Sequence, residues 1–513
     1  MLLQAVTQRS ADETVGRIAP ATVAAGGSGR ASPGRGPAAG LQNRFKYLEK
    51  TIAIREKRVW GSLMRPMLAI AIALGLGSVG AAAKAQTLQD ALVAAYLTNS
   101  ELEAQRAALR ATDELVPQAL SGWRPRLTIE GDAFANNRDS GGDSSSFNTT
   151  RGALVLDQDL YSGGETVANT ERAERLVRAE RARLLAIEQS VLLDAATVYT
   201  NLLAAQAVLD FAGQNEGRLR RQLQATQDRF DVGEVTRTDV AQADAALSGA
   251  TAARVQAEGE LAAAEADYRR VINQEPVSLA VPEPLAALPA TEAEAQQLGE
   301  ANNPNIAVSE YDLAAARAEV DVATSALLPR VTVRGELSYT EDPSPTIDDQ
   351  RDATIGASLR VPLYQGGGEY ARVRQTKQTV RQRRDDLETA YRAVRNEVTA
   401  SWQAFVTATT QIGSRQAQVQ ANEIAVEGAR QEALVGQLTT LDVLDTESNL
   451  FQSQVDLVNA RRDQLVASYR LKSAVGELTV VGINLPVEPY NPDAYYLDVR
   501  NRLIGLGESL NAD

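Results

Sequence analysis

The chain has 513 residues, 52 Lys+Arg against 66 Asp+Glu, and a net charge of −14. It contains no Cys and no His, which removes disulfides, thiol nucleophiles, a lipid-bearing N-terminal cysteine, and the commonest general base and metal ligand. The acidic balance argues against nucleic acid as a partner, and an apolar share of 44% with only 5% aromatics is the composition of long helices.

Residues 68–83, LAIAIALGLGSVGAAA, form the most apolar run, preceded by Arg58 and Arg65 and followed by Ala83-Lys84-Ala85 as a small-x-small cleavage site. The run is shorter than the ~20 apolar residues of a membrane-spanning helix, so residues 64–85 are expected to be a signal peptide. Residues 1–63, rich in Arg, Gly and Ala and without a hydrophobic period, are expected to be an over-extended start, with Met64 or Met67 as the true one. Residues 1–85 hold 12 basic and four acidic residues, so the exported remainder has 40 basic and 62 acidic, a net of −22. No second long apolar run is evident, and no helix is expected to cross the inner membrane after cleavage.

The remainder is a tandem repeat. At an offset of 204, Ser121-Gly122-Trp123-Arg124-Pro125-Arg126-Leu127-Thr128 meets Ser325-Ala326-Leu327-Leu328-Pro329-Arg330-Val331-Thr332, and Asn99 meets Asn303. At an offset of 203, Leu160-Tyr161-Ser162-Gly163-Gly164 meets Leu363-Tyr364-Gln365-Gly366-Gly367, and Val232-Gly233, Thr236 and Asp239 meet Val435-Gly436, Thr439 and Asp442. The repeats are expected over 86–290 and 291–480, with a polar, turn-rich tail over 481–513.

Each repeat has the same order. A short helical stretch (87–118; 291–326) leads into two strands (125–137 and 149–160; 329–340 and 353–363). The strands alternate, with Val331, Val333, Leu337 and Tyr339 on one face and Thr332, Arg334, Glu336 and Ser338 on the other. The polar segments 138–148 and 341–352 read as loops. No proline occurs over 126–275 or 363–485, which permits unbroken helix from the Gly163-Gly164 and Gly366-Gly367 turns to breaks at Gly233 and Gly436. That length is about 65 residues, or roughly 100 Å. Shorter helices return over 237–272 and 440–476. Heptads at Leu444, Phe451, Val458 and Leu465, and at Val240, Leu247, Leu261 and Tyr268, indicate laterally packed helices.

Strands of ten to twelve alternating residues suit an outer-membrane barrel, and backbone in lipid must be paired throughout. Four strands cannot close a barrel alone. Either they form a small soluble sheet, or several chains contribute four each; segment order leaves both open.

The stretch VGQLTTLDVLDTESNLFQSQVDLVNARRDQLVASYRLKSAVGEL (435–478), its partner VGEVTRTDVAQADAAL (232–247), the LYxGG pair and the duplication resemble the TolC family of outer-membrane channel proteins across 86–480. The resemblance implies an α+β membrane protein. Three chains would form a twelve-stranded outer-membrane β-barrel continuous with a twelve-helix periplasmic α-barrel, with the tail against an equatorial belt. It implies a passive exit duct working with a periplasmic adaptor and a proton-driven or ATP-driven inner-membrane pump, in drug efflux or type I secretion, without cofactor, metal or nucleic acid. The competing reading is a periplasmic coiled-coil scaffold or adaptor with a small β domain; an enzyme is a remote third.

Function then rests on the tips between long and short helices. Thr236-x-x-Asp239 and Thr439-x-x-Asp442 have capping-box spacing after a glycine. The resemblance adds a second role. Thr238 and Asp239 match a pair in the closing links of the family's periplasmic gate, and Asp442 and Asp445 match carboxylates that ring its constriction. The family's aromatic and basic gate partners are replaced here by Ala433 and Leu438, so Arg237 is expected to pair with an acid at a neighbouring tip. Trp123, Phe134, Tyr161, Tyr339 and Tyr364 are candidates for an interfacial aromatic belt. The acidity of the exported chain reads as the lining of a cation-preferring tunnel.

Overall fold

The computed structural model describes residues 85–283, 285 and 287–507, and of Ser140 and Asp143 the backbone alone. The expected leader and the segment before it, up to residue 84, lie outside the described residues, as do 508–513.

The first repeat opens with α1 (Leu88–Thr98), α2 (Ser100–Asp113) and α3 (Leu115–Leu120). β1 (Arg126–Ser140) and β2 (Asp143–Ser162) follow, then α4 (Glu165–Asp231, 67 residues) and α5 (Arg237–Ile272). The second repeats the order with α6 (Glu292–Asn302), α7 (Pro304–Ser325), β3 (Arg330–Ser344), β4 (Ile347–Arg360), α8 (Gly368–Leu434, 67 residues) and α9 (Thr440–Ala474). A final short helix, α10 (Asp493–Val499), lies in the tail.

The short helical stretches differ from expectation, because each is divided at an asparagine. Asn99 is extended, and its side-chain oxygen accepts from the N–H groups of Glu101 and Leu102, ending α1 and starting α2. Asn303 does the same between α6 and α7 by accepting from Asn305 N–H. The two amide groups also reach across the fold. Asn303 Nδ2 donates to Ala474 O, the last residue of α9, at 3.0 Å, and Asn99 Nδ2 donates to Val271 O near the end of α5 at 3.3 Å. Thus α2 prolongs α5 and α7 prolongs α9.

The helices lie side by side in the order α5, α4, α9, α8, with α2 and α7 packed against α4 and α7 also against α8. The tight seams are columns of small residues at heptad spacing: Ala243, Ala250 and Ala257 on α5, and Ser453, Ala460, Ala467 and Ala474 on α9, all buried. The larger residues read as the seam are mostly half-buried beside it, Leu444 and Tyr268 excepted. Small side chains let the backbones approach, and the large ones then flank the contact.

The main core gathers α1, the middle of α4, the end of α5 and residues 478–485, with Tyr199 and Tyr268 fully buried at its centre. Contrary to expectation, α4 contains a stretch long and apolar enough, by length and composition alone, to cross a membrane. Its Val191, Leu192, Ala195, Ala196 and Leu202 are buried in this core, which accounts for the apolarity. The start of the tail is not polar surface either, since Leu485 is a core residue and Ile483, Val487 and Tyr490 pack against the same core.

The strands form one antiparallel sheet in the order β1-β2-β3-β4. The segments 138–148 and 341–352, expected as loops, are mostly paired strand. Turns at Gly141-Gly142 and at residues 345–346 suffice to reverse the chain. Gly141 and Gly142 have φ of 67° and 103°, the left-handed conformation a tight hairpin needs, and the polar side chains do not oppose pairing. β4 stops at Arg360, short of Pro362, which has no N–H for the ladder.

Candidate gate at the helical tips

Both tips are built alike. The Gly233 and Gly436 φ values are 81° and 76°, and their N–H groups donate to Phe230 O and Ala433 O. The next residues close the turn, Glu234 N to Arg229 O and Gln437 N to Glu432 O, both at 2.9 Å. Capping boxes then start α5 and α9. Asp239 Oδ2 accepts from Thr236 N at 2.8 Å and Oγ1 at 2.7 Å, and Asp442 Oδ2 accepts from Thr439 N at 2.9 Å and Oγ1 at 2.6 Å. The Thr236 hydroxyl and N–H hold the Asp239 carboxyl below its ordinary range, and Thr439 does the same for Asp442. Both remain charged at neutral pH.

The other tip candidates are exposed: Arg237, Thr238 and Asp445. Among the described residues their side chains make no hydrogen bond or ion pair within the chain. Ala433 and Leu438 are half-buried. The single chain therefore does not bring Arg237 together with an acid. The turn glycines Gly163, Gly164, Gly366 and Gly367, with φ between 67° and 84°, lie at the sheet ends of α4 and α8. Each is separated from the tips by a 67-residue helix, or about 100 Å.

Sequence reasoning missed Glu447. Its side chain is 3% exposed, yet it lies on α9 between helices of both repeats. Arg218 of α4 reaches its Oε2 at 2.8 Å, and Arg430 of α8 pairs with its Oε1. Just tipward, Leu444 packs with Leu219, Ala243 and Ala250, joining α9 to α4 and α5. The available signal was a carboxylate in the apolar register of α9, between Val443 and Leu450. Glu216 ties α4 to α5 in a similar way, accepting from Arg254 Nε at 2.6 Å and Thr251 Oγ1 at 3.1 Å. Arg254 holds its carboxyl below the ordinary range.

At the other end, the sheet has two unlike faces. Cross-strand register places Leu127, Leu156, Gly335 and Ile355 in one row and Ile129, Leu154, Leu337 and Ala353 in the next. Ile129 and Ile355 are more than four-fifths exposed. The opposite face carries Asp132, Arg151, Asp157, Arg334 and Glu336, linked by ion pairs: Arg151 to Asp132 at 3.8 Å and to Glu336, and Arg334 to Asp157 at 3.9 Å. Tyr161 and Tyr339 lie on the apolar face, whereas Phe134, opposite Thr149, falls on the charged one. Period-two alternation decides this, because Phe134 has the parity of Asp132.

Among the described residues no group of three or more carboxylates is placed to hold a metal ion. The arrangement offers a charged surface, an apolar surface and an acidic tip.

Comparison with known proteins agrees. A sequence model of the outer membrane efflux protein family matches residues 91–274 and 296–477. The chain is 33% identical to the outer membrane efflux protein BepC of Brucella suis biovar 1 (strain 1330) over 446 residues, covering 86% of this chain and 97% of BepC. It is 28% identical to the outer membrane protein TolC of Vibrio cholerae, covering 81% of this chain and 96% of that protein. In fold it matches the Campylobacter jejuni CmeC outer membrane channel with a TM-score of 0.71 at 17% identity, over 81% of this chain and 89% of CmeC.

Proposed function

The chain belongs to the outer membrane efflux protein family, and we propose that it works as a passive trimeric exit duct in tripartite export, either drug efflux or type I protein secretion. It resides in the outer membrane of a Gram-negative bacterium and extends into the periplasm. The observation that carries the proposal is the four-stranded sheet with open edges at β1 and β4, one exposed apolar face and one ion-paired face. Three copies pair those edges and close a twelve-stranded barrel with lipid outside and charge inside. The helical columns below it continue the wall. This surface weighs against the scaffold or adaptor reading, in which a small soluble β domain would bury its apolar face.

At the tips, three copies bring Asp442 and Asp445 together as six carboxylates around one opening, which favours cations. Arg237, unpaired within the chain, is free to meet an acid of the neighbouring copy and hold the opening shut. Val232, Leu434, Val435 and Leu441 are exposed there and offer an apolar docking surface to a periplasmic adaptor. Energy comes from the inner-membrane pump.

Planar-bilayer recording tests this reading. The wild-type duct should be cation-selective with low conductance. Asp445→Asn should weaken the selectivity without disturbing the cap at Asp442, and Arg237→Ser should raise conductance. Anion preference in the wild type would overturn the lumenal acid ring, and unchanged conductance in the Arg237 variant would overturn its gate role.

A further inference from the structure

From α10 onward the tail climbs toward the sheet. Its contacts on α4 step back along that helix: Arg181 pairs with Asp493 at 2.7 Å, and Glu174 accepts from Arg500 at 2.8 Å. The guanidiniums of Arg181 and Arg500 both sit over the Tyr496 ring. The next fixed point lies beside the root of β1, where Arg124 Nη1 donates to Arg502 O at 2.9 Å. Arg124 stands two residues before the first residue of β1.

Immediately beyond this point come Leu503, Ile504 and Leu506, which are 74%, 92% and 104% exposed. Large apolar side chains in succession at such exposure mark a contact surface. They sit at the level where the strands begin. Trp123, the neighbour of Arg124, is 48% exposed, and Leu127, the first apolar residue of β1, is 66% exposed and on the apolar face. The Arg124–Arg502 contact thus delivers the tail's apolar residues beside the root of β1, where the exposed apolar face of the sheet begins. The arginines just before them, Arg500 and Arg502, are ion-paired to Glu174 and Asp498, and basic residues at this level suit a membrane interface.

We propose that residues 503–506 enter the periplasmic leaflet of the outer membrane and anchor the tail there, the occupant of this surface being lipid acyl chain. The proposal rests on the outer-membrane location and on the apolar sheet face meeting lipid. It adds a second, interfacial attachment per chain beneath the barrel.

The chain has no Cys, so a nitroxide can be placed at one position at a time. The full-length protein would be purified and reconstituted in phosphatidylethanolamine/phosphatidylglycerol vesicles, with labels on Ile504→Cys or Leu506→Cys. Ile129→Cys on the sheet's apolar face and Glu234→Cys at the exposed tip serve as references. Collision of the label with oxygen and with a water-soluble nickel chelate is then compared. Labels at 504 and 506 should resemble that at 129, with oxygen favoured several-fold over nickel relative to position 234. If 129 reports lipid while 504 and 506 collide freely with nickel, the anchor is wrong and the outer-membrane sheet stands. If 504 and 506 are shielded from both reagents in detergent as well as in vesicles, a neighbouring copy covers them and the anchor is again wrong. If 129 also reports water, the lipid placement of the sheet fails and the anchor fails with it.

Discussion

Removing the Glu447 carboxylate should loosen the tips more than any other single change near the gate. Glu447 is 3% exposed and accepts from Arg218, itself 14% exposed, and from Arg430, which is 40% exposed. Breaking a buried ion pair by deleting one partner costs about 3–5 kcal/mol, because the remaining charge is stranded. In Glu447→Ala, Arg430 keeps its water and only Arg218 is stranded, which argues for the lower end, about 3 kcal/mol per chain. At 1.36 kcal/mol per decade this is roughly a 150-fold rise in the local opening equilibrium. Amide exchange over residues 440–450 should accelerate accordingly, and bilayer conductance should rise as α9 separates from α4. Glu447→Gln, which keeps the packing and an acceptor, should give a smaller effect. A double-mutant cycle with Arg218→Met should return a coupling of about 1.5–3 kcal/mol. Exchange and conductance unchanged in the alanine variant, or a coupling near zero, would refute the reasoning.

The junction between α9 and α7 should also be sensitive to mutation. Asn303→Ala removes the α7 cap and leaves the Ala474 carbonyl without its side-chain donor, for a cost of about 2 kcal/mol. Asn99→Ala, where the corresponding bond is 3.3 Å long and only partly buried, should lower the thermal midpoint less; equal losses would contradict the geometry. Asp113, the last residue of α2, is buried with neither carboxylate oxygen hydrogen-bonded and is pushed up to about 6 by that burial, with Arg181 opposing. Its neutral form is the one the fold prefers, so stability should fall as pH rises from about 4 to 6 and then level, by ~2–3 kcal/mol at most. Asp113→Asn should match the wild type at pH 4 and exceed it at pH 7.5 in thermal unfolding. Gly163→Ala places a Cβ 2.5 Å from Ser325 O, whereas Gly366→Ala at nearly the same φ meets open space. The first should sharply reduce folded yield, and the second should cost only left-handed strain of about 1–2 kcal/mol.

Much of the architecture was legible because it depends on local rules. Absence of proline and a Gly-Gly start set two 67-residue helices, and Thr-x-x-Asp after glycine set the caps at 236–239 and 439–442. Alternation along β3 sorted Val331, Val333, Leu337 and Tyr339 from Thr332, Arg334, Glu336 and Ser338, and the register keeps them apart. The misreadings came where polarity was taken for looseness. Serine- and aspartate-rich segments read as loops, although a hairpin arm whose backbone is paired even on one side does not require apolar side chains.

The candidate gate divides in the same way. Asp239, Asp442 and their threonines are three residues apart, so their geometry follows from helix initiation alone. Asn303 and Ala474 are 171 residues apart, and Arg218 and Glu447 are 229 apart. The apolar register of α9 marks Glu447 but not the arginines of α4 and α8 that meet it, and nothing local distinguishes buried Asp113 from its neighbour Glu114. Which carboxylate loses its water is decided by which helices come together, since desolvation depends on everything within a few ångströms and not on chain order. The sequence by itself determined the repeat, the helix lengths, the caps and the two faces of the sheet. Only the tertiary structure decided which charges are buried, which helices are joined end to end, and where the apolar tail is delivered.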